Sequence, residues 1–389
     1  MKKSIHIIVK YFYPVAAGIE ANILETYSVL VKNGWDITIH TSKDTLTEKN
    51  ILPVFETIRG LKVVRYPFAQ FSYWPQINWD KAGIVCLHNF NVAPHFFIML
   101  YALYRKLLGK TGVVFTLTPH GGFNPDWSIF PAAVAWVKQL YHFTIGTLLI
   151  NLTIDGVRAV SVWEKREIIK KGVLPEKVTT ISNGMENEAY VDVDKRATAE
   201  IKAKVKEFGR YIIQIGRIYS IKNNETTIKS LLNIPKDIKL ILAGPVGDEQ
   251  YKKSLIKLIE KHKLTNRVIF LGVIRGVDKY YLIKHAQMMV HMAHWESFCN
   301  VVHEAMSQGL VCIVANNTAL PLLIKDGVNG YCVETTNYLE VSKKINYVLD
   351  PKNRKEMKKI SKTNRVFGLK ESWSSVARTM ENWFTSKLI

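Results

Sequence analysis

The sequence predicts an α/β protein of two domains, each organised around a parallel sheet. The chain has 389 residues, which is more than one ordinary domain uses. Short apolar segments alternate with amphipathic segments along both halves, as is typical of strand–helix repeats. Hydrophobicity falls and charges of both signs mix between residues 185 and 208, so we place the boundary there, with residues 1–190 in the first domain and residues 191–371 in the second.

The first half opens with a strand, a helix and a second strand, the usual start of a Rossmann-like domain. The turn before the helix contains Ala17-Gly18, where the backbone could approach a phosphate or form an ordinary turn. The predicted elements of this half are strands at 4–9, 36–40, 62–66, 84–87, 113–117, 159–161 and 178–181 and helices at 19–33, 93–108 and 164–171.

Two histidines, His88 and His120, follow predicted strand ends in this half. Open α/β sheets bind their ligands at the carboxyl ends of strands. Because Gly121-Gly122 follow His120 and allow close approach to the backbone, we expect His120 to contact a ligand. His88 fits a ligand contact and a core position equally.

An aromatic and basic segment spans residues 123–141 and includes Trp127, Trp136 and Lys138. Such a composition suits a membrane interface, and it also suits the underside of an irregular helix. The sequence leaves both interpretations open.

The second half repeats the alternation of strands and helices. The predicted elements are strands at 211–215, 239–243, 268–271, 287–292, 311–315 and 330–333, helices at 226–232 and 249–262, basic helices to about residue 362 and a last helix at 372–384. Asp192 and Asp194 resemble a carboxylate metal motif, but in a segment of mixed charge we interpret this spacing as accidental.

The most informative stretch is residues 290–309, which contains Glu296 and Glu304. A strand should precede Glu296, and a helix that contains Glu304 should begin after Phe298. A strand end followed by a helix N-terminus favours anions, because the first N–H groups of the helix have no partners within it. Carboxylates on either side could accept hydrogen bonds from ligand hydroxyls, so the stretch suits a nucleotide sugar.

Two cations lie in the loop after the first strand of the second half: Arg217, directly after Gly216, and Lys222, five residues further on. Arginine can grip a phosphate with two N–H groups, and lysine acts as a point charge. The carboxyl ends of parallel strands share one sheet edge, so we expect both cations at the same phosphate.

Together these residues resemble the retaining glycosyltransferases of family 4 (group 1), which have the two-domain GT-B architecture. The second half matches in IGRIYSIKN (215–223), LILAGP (240–245), RVIFLGVI (267–274), ESFCNVVHEAMSQG (296–309) and KDGVNGYCVE (325–334), and the first half matches more loosely in residues 11–42, TPHGG (118–122) and ISNGM (181–185). The resemblance implies two Rossmann-like domains facing a central cleft, with a C-terminal helix, residues 372–389, that crosses back to the first domain.

The resemblance also implies which residues act. Arg217 and Lys222 would neutralise the donor diphosphate, Glu304 would hold the ribose hydroxyls, and Glu296 and His120 would lie at the donor sugar. Its donor-binding positions are Gly18, Gly216, Arg217, Lys222, Gly272, Val273, Phe298, Cys299, Asn300 and Glu304, and its catalytic positions are Glu296, His120, Arg217 and Lys222. Transfer would retain the anomeric configuration and need neither a metal nor a cofactor.

Four positions depart from the family pattern. Ala17 stands where the family usually has glycine, Cys299 and Asn223 stand where it often has glycine, and Leu322 stands where it usually has glutamate. The last change removes a carboxylate that would contact the donor, whereas the set of two cations and two glutamates is retained.

Composition indicates the partners and the compartment. The formal net charge of +20 suggests an anionic membrane surface, nucleic acid or a phosphorylated substrate. No segment reaches the ~20 apolar residues of a spanning helix, the first residues lack a signal-peptide pattern, and the four cysteines show neither metal nor disulfide spacing. We therefore expect a cytoplasmic enzyme, peripheral on the inner membrane face, that transfers a sugar from a nucleotide-sugar donor to a lipid-linked or cell-surface glycan precursor.

The alternative is a GT-B subunit that binds a nucleotide or another protein without turnover. Nucleic-acid binding is not expected, because no known module is present and the basic residues are spread over the chain. The sugar, the nucleoside, the acceptor and the oligomeric state stay open.

Overall fold

A computed structural model describes residues 3–15, 18–45, 48–68, 74–79, 82–90 and 93–388. The chain divides into two compact units, residues 1–184 with 373–389 and residues 185–372. The chain enters the second unit after Gly184, ahead of the predicted position 190. The reason is that Met185 already pairs with Ser372 and packs with Ala189 against the buried ring of Tyr280.

The first unit is built on an eight-stranded sheet with the order β3-β4-β2-β1-β5-β6-β7-β8. All pairs are parallel except β3 with β4, which is antiparallel. The strands are β1 Ser4–Ile8, β2 Asp36–Ser42, β3 Phe55–Ile58, β4 Leu61–Tyr66, β5 Ile84–His88, β6 Val114–Thr118, β7 Gly156–Ala159 and β8 Val178–Thr180. The chain changes winding direction between β1 and β5, and in open α/β sheets such a point is where ligands bind.

Within the described part of this unit, five helices precede the point where the chain leaves it: α1 Gly18–Lys32, α2 His95–Leu107, α3 Ala132–Phe143, α4 Ile145–Thr153 and α5 Val162–Lys170. Strand β7 ends at Ala159, so the strand predicted at 159–161 was placed two to three residues too far along the chain. Periodicity missed β7 because it contains Arg158. The guanidinium of Arg158 is fully buried and donates to the carbonyl oxygens of Ile181 and Ser182, at 3.0 Å each.

The second unit is built on a six-stranded parallel sheet with the order β11-β10-β9-β12-β13-β14. Its strands are β9 Tyr211–Ile215, β10 Lys239–Ala243, β11 Val268–Gly272, β12 Met289–His291, β13 Cys312–Ala315 and β14 Tyr331–Val333. Its helices are α6 Val193–Arg196, α7 Ala199–Phe208, α8 Asn224–Ser230, α9 Glu249–Lys261, α10 Gly276–Lys284, α11 Asn300–Ser307, α12 Leu320–Leu323, α13 Tyr338–Leu349 and α14 Arg354–Gly368. The winding changes direction between β9 and β12.

The segment predicted as an irregular boundary is helical in its second part. Thr198 caps α7 by accepting from the N–H of Ile201, as hydroxyl side chains at the N-cap commonly do. Ile201, Val205 and Phe208 recur at helical spacing and are buried in the core of the second unit. The mixed charges of this segment lie on the other face, which is why composition alone suggested a linker.

The final helix, α15 Trp373–Leu388, returns to the first unit as expected. Met380 and Phe384 are fully buried in a cluster with residues of α1 and β1. Glu381 accepts hydrogen bonds from the ring nitrogen of Trp35 at 2.9 Å and the amide of Asn33 at 2.7 Å. Apolar burial and these two polar contacts therefore hold α15 against the end of α1. Among the described helices, none combines the length and the apolar character needed to cross a membrane.

Candidate functional site

The candidate site in the second unit lies where the winding of its sheet changes direction. Strands β9 and β12 are neighbours, with Met289 opposite Ile213, and their carboxyl ends open into two loops. The loop after β9 contains Gly216, Arg217 and Lys222, and the loop after β12 contains Glu296. Residues that are far apart in sequence are therefore brought to one edge of the sheet.

Glu296 is the centre of this site. Its Oε1 accepts hydrogen bonds from the ammonium of Lys222 at 2.5 Å and from Nε2 of His291 at 2.8 Å. Burial would raise the pKa of Glu296, but the charge of Lys222 and the hydrogen bond from His291 lower it to about 2. Burial also opposes the charge on Lys222, and the Glu296 carboxylate more than compensates, so the pKa of Lys222 is raised. The pair is therefore ionised at neutral pH.

The loop that joins Glu296 to α11 brings three predicted donor contacts to the same place. Cys299 has φ +71°, a left-handed conformation that favours glycine, and it precedes α11 without capping it through its side chain. Phe298 stacks on His303 with ring centroids 4.4 Å apart. Asn300 is the first residue of α11, so the unpaired N–H groups of the helix begin here.

Glu304 lies inside α11 as the periodicity predicted, but it is buried rather than solvated. Its Oε1 lies 3.0 Å from the ammonium of Lys279, which also contacts Glu186 at 2.9 Å. The other oxygen, Oε2, is buried and has no hydrogen-bond partner. Burial raises the pKa of Glu304, and the Lys279 ammonium opposes that effect. The Oε2 atom can therefore accept a hydrogen bond from a ligand.

Gly216 and Arg217 lie at the end of β9, beside the end of β10. A Cβ on Gly244 would lie 2.0 Å from the carbonyl oxygen of Gly216, so the two loops touch through their backbones. Arg217 is exposed, and its side chain runs past Gly247. Gly272 ends β11 and Val273 follows it. Because β11 is separated from β9 by β10, these exposed residues lie along the same edge and away from Glu296.

His120 and Gly18 belong to the first unit. His120 has φ +51°, and its Nε2 lies 2.9 Å from Nδ1 of His88, whose Nε2 lies 3.0 Å from the hydroxyl of Tyr27. Burial and the charge of Arg158 lower the pKa of His120 to about 3, so its imidazole is neutral. His88 is fully buried, which makes it a core residue that positions His120. Gly18 begins α1, while Ala17 lies outside the described residues.

The backbone of His120 is fixed by a buried carboxylate that the sequence did not indicate. Glu164 in α5 accepts hydrogen bonds from the N–H groups of Gly121 and, at 2.6 Å, Val160. Burial raises the pKa of Glu164 to about 7, against these hydrogen bonds and the charge of Arg158. The loop after β6 is therefore tied to the start of α5.

One departure from the family pattern, Asn223, has a structural explanation, and another, Leu322, has none. Asn223 adopts a left-handed conformation with φ +47°, which asparagine tolerates better than most residues. Its buried amide donates to the carbonyl oxygens of Met292 and Thr335, at 2.9 and 2.8 Å, and so links the loops after β9, β12 and β14. Leu322 is 44% exposed in α12 and offers no polar contact.

The Asp192 and Asp194 motif is used within the fold. Asp192 accepts from the N–H of Asp194 as the N-cap of α6. Asp194 contacts Lys284 at 2.5 Å and His285 at 2.9 Å. Both carboxylates therefore make contacts within the second unit.

Two family models match the chain. "Glycosyl transferases group 1" matches residues 196–366, and "Glycosyltransferase Family 4" matches residues 16–188. The two matches do not overlap, and between them they span most of both units. Their order along the chain is the order that the motifs predicted.

Curated relatives with low identity cover most of the chain. The phosphatidylinositol N-acetylglucosaminyltransferase GPI3 subunit of Saccharomyces cerevisiae is 24% identical over 86% of this chain and 72% of its own length. The GDP-mannose:cellobiosyl-diphosphopolyprenol alpha-mannosyltransferase of Xanthomonas campestris is 26% identical over 85% of this chain and 83% of its own length.

Solved structures show the same fold over the full length. HepE of Anabaena, crystallised with UDP-glucose, superposes with a TM-score of 0.76 at 17% identity, covering 98% of this chain and 99% of its own. WaaG, a glycosyltransferase of lipopolysaccharide biosynthesis, superposes with a TM-score of 0.66 at 14% identity, covering 98% of this chain and 99% of its own. The motifs, the two parallel sheets and the family models agree, and the chain belongs to the family 4 (group 1) glycosyltransferases with the two-domain GT-B fold.

Proposed function

We propose that the protein is a retaining, metal-independent glycosyltransferase that transfers a sugar from a nucleoside-diphosphate sugar to a lipid-linked glycan precursor at the cytoplasmic face of a membrane. The observation that carries this proposal is the cluster at the ends of β9 and β12. There Lys222 and His291 form hydrogen bonds with an ionised Glu296. Within the following helix, α11, the Oε2 atom of Glu304 is buried and has no hydrogen-bond partner.

The charges of the cluster suggest how the donor is divided among its residues. Glu296 is negative, so it should avoid the diphosphate and accept hydrogen bonds from hydroxyls of the donor sugar. Lys222 and the exposed Arg217 are the cations that should contact the diphosphate. The leaving group gains negative charge as the sugar–phosphate bond breaks, so cations fixed at this position stabilise the transition state more than the ground state.

The buried carboxylate of Glu304 suits the ribose of the donor nucleoside. Its Oε1 is held by Lys279, while its free Oε2 would otherwise remain unsatisfied at a cost of about 1–3 kcal/mol. A ribose hydroxyl that donates to Oε2 would remove this cost. Only a ligand with a hydroxyl next to Oε2 of Glu304 would therefore gain binding free energy from this hydrogen bond.

The same parts support retention without a metal. Arg217 and Lys222 supply positive charge of the kind that a divalent cation would supply to a diphosphate. A leaving phosphate oxygen can accept the proton of the acceptor hydroxyl on the same face of the sugar, so no protein base on the opposite face is required. Because the bond to the acceptor forms on the face from which the phosphate leaves, the product keeps the anomeric configuration of the donor sugar.

An apolar face on the first unit supports the membrane part of the proposal. The helices α2, α3 and α4 pack together and expose large apolar side chains, which we call the apolar face: Leu107 (78% exposed), Trp136 (66%), Tyr104 (57%), Leu148 (57%), Val137 (56%) and Ile145 (54%). Lys106 and Lys110 are exposed at the end of α2. Such a combination suits an interface with anionic lipid.

The surface includes Trp136 of the aromatic segment that the sequence indicated, but other aromatic residues of that segment are buried. Phe123 is 1% exposed and Tyr141 is 9% exposed, so both belong to the core. The membrane contact is proposed through the outer sides of α2, α3 and α4 instead. The two named relatives are enzymes of phosphatidylinositol and of a diphosphopolyprenol, which is consistent with a lipid-linked acceptor here.

The donor site is tested by thermal shift with UDP, GDP, ADP and CMP on wild type and on Glu304→Gln. A nucleotide at one hundred times its dissociation constant stabilises the fold by ~2.7 kcal/mol. We expect one nucleoside diphosphate to shift the wild type and to lose most of that shift in the variant. Absence of a shift with all four nucleotides would refute the proposed donor site.

Turnover is tested with a panel of nucleotide sugars of the nucleoside identified in this way and a panel of polyprenyl-diphosphate glycans, following the anomeric proton of the product by NMR. Glu296→Gln should keep the fold and lose transfer by at least about two orders of magnitude. A product of inverted configuration would contradict the retaining mechanism. Nucleotide binding without transfer to any acceptor would favour the non-catalytic subunit.

Membrane association is tested by flotation with vesicles that contain anionic lipid. We expect binding at low salt, weakened by Trp136→Ser combined with Leu148→Ser. The control is Val366→Ser on α14 of the second unit, a large apolar residue that is 78% exposed and lies outside the apolar face, and it should have no effect. Equal flotation of all three proteins would rule out the apolar face.

A further inference from the structure

Three potential metal ligands meet at the centre of the candidate site. A ring nitrogen of His291, a carboxylate oxygen of Glu296 and the sulfur of Cys299 lie within 4.8 Å of one another. In the part of the chain that the structure describes, this is the one group of three such side chains. We propose that the cluster is an inhibitory binding site for Zn²⁺, at which the metal excludes the sugar donor.

The chemistry of the three side chains selects zinc. Imidazole, carboxylate and thiolate are the ligands that Zn²⁺ prefers, and three protein ligands leave a fourth position for water. Mg²⁺ and Ca²⁺ prefer oxygen ligands throughout and are not expected here. In a tetrahedral site the ligand atoms are separated by about 3.5 Å. The largest separation, at most 4.8 Å, therefore has to shorten by up to about 1.3 Å to reach that geometry.

The position of Cys299 supports a role for its side chain. Its φ of +71° is unfavourable for a residue that carries a Cβ, whereas glycine adopts it freely. The side chain held in this conformation is 5% exposed and belongs to the core cluster of the second unit, and its sulfur lies within 4.8 Å of ligand atoms of His291 and Glu296. Burial and the charge of Glu296 raise the pKa of this thiol, so a bound cation is needed to hold it as a thiolate. A strained residue at a ligand-binding loop is a reason to look for function.

Metal binding has to displace Lys222. Its ammonium lies 2.5 Å from the Glu296 oxygen, and its side chain is 22% exposed, so it can turn towards solvent and open the path to the cluster. One proton leaves the thiol of Cys299 for solvent, and Zn²⁺ takes its place on the sulfur. No electron is transferred. Lys222 is then withdrawn from the diphosphate and Glu296 from the sugar, a consequence that rests on the proposed function, whereas metal binding itself does not.

The experiment titrates the full-length protein with Co²⁺, a spectroscopic substitute for Zn²⁺, in the presence of a non-thiol reductant. We expect one equivalent to give a thiolate-to-cobalt absorption band that Zn²⁺ removes. Cys299→Ser should abolish the band, and His291→Gln should weaken binding at least about tenfold. The matched control is Cys332→Ser, a half-buried cysteine of β14, which should keep the band. A wild type without the band, or a band that depends on Cys332, overturns the site.

Lys222→Met provides a test in the opposite direction. Removal of the competing ammonium should tighten Co²⁺ binding at least about tenfold, because a unit positive charge no longer faces the metal. Weaker binding would contradict the competition. Donor exclusion is measured by the thermal shift with the preferred nucleoside diphosphate, which one equivalent of Zn²⁺ should remove in wild type, whereas one equivalent of Mg²⁺, which prefers oxygen ligands, should leave it in place. If no nucleotide shifts the zinc-free protein, the proposed function fails, and the cobalt band still decides the metal site.

Discussion

Replacement of Lys279 by methionine tests whether the fold supports the buried carboxylate proposed to bind ribose. Lys279 Nζ lies 3.0 Å from Glu304 and 2.9 Å from Glu186. The side chains of Lys279 and Glu304 are each 11% exposed, and that of Glu186 is 34% exposed. Removal of the ammonium leaves Glu304 in a buried place without a counter-charge, where it has to take up a proton or admit water.

The expected cost follows from this geometry. Breaking a buried pair by removing one partner costs about 3–5 kcal/mol, and we expect the lower end because Glu186 retains contact with solvent. The added substitution Glu304→Gln should recover much of that loss, since no uncompensated charge then remains. The exposed pair Lys204–Glu200, at 43% and 76% exposure, is the control, and Lys204→Met should cost about 0.3–0.5 kcal/mol.

The assay is urea unfolding followed by tryptophan fluorescence and by circular dichroism, with the slope against urea compared between variants. A coupling energy between Lys279 and Glu304 of about 2 kcal/mol or more is expected from the double-mutant cycle. Loss of stability in Lys279→Met equal to that in Lys204→Met would refute the reasoning. So would a double variant no more stable than Lys279→Met.

Three further substitutions have expected outcomes. Gly244→Ala should lower the melting temperature strongly, because its Cβ would overlap the carbonyl of Gly216, whereas Gly112→Ala, with open space around it, should be neutral within about 0.5 kcal/mol. Asn223→Ala should cost about 2–4 kcal/mol in urea unfolding, because two buried carbonyls lose their donor. Burial lowers the pKa of His142 from 6.5 to about 4, so its contribution is full above pH 6.5 and falls as pH decreases. His142→Gln should therefore reduce the loss of stability between pH 7 and pH 5 by about 2 kcal/mol, and an unchanged pH profile would contradict this.

The sheets were predictable where strands are buried on both faces. The bounds of β9 and β10 were predicted to the residue, because apolar runs there end abruptly at charged or glycine residues. β3 was missed because three of its four residues are exposed at the sheet edge and carry no apolar run. The helices α3 and α4 were not separated for the opposite reason, since their apolar residues lie on the exposed sides as well as on the buried ones.

The residues of the candidate site that lie in the loops at strand ends and in α11 could be predicted from the sequence. The buried charged residues that contact them were harder to predict. Glu296, Glu304 and Lys222 occupy positions at strand ends and in a helix that periodicity can assign. Lys279 could not be assigned, because a lysine in an amphipathic helix is normally solvated and only the packing of α10 on α11 buries it. The Arg158 and Glu164 charges were missed for the same reason, since both are buried by tertiary contacts.

His291 is the residue with the greatest consequence among those that the sequence did not single out. It ends β12, a strand whose three residues are all buried, and an imidazole at such a position needs a polar partner. The signal was present as a histidine in an otherwise apolar strand five residues before a glutamate. His291, at the end of β12, and Lys222, in the loop after β9, both donate hydrogen bonds to Oε1 of Glu296. The carboxylate therefore has two partners that fix its orientation in the absence of a ligand. In the proposed transfer reaction His291 orients the carboxylate of Glu296, and in the proposed zinc site a ring nitrogen of the same histidine binds the metal. Because one side chain serves both roles, we expect donor binding and metal binding to exclude each other.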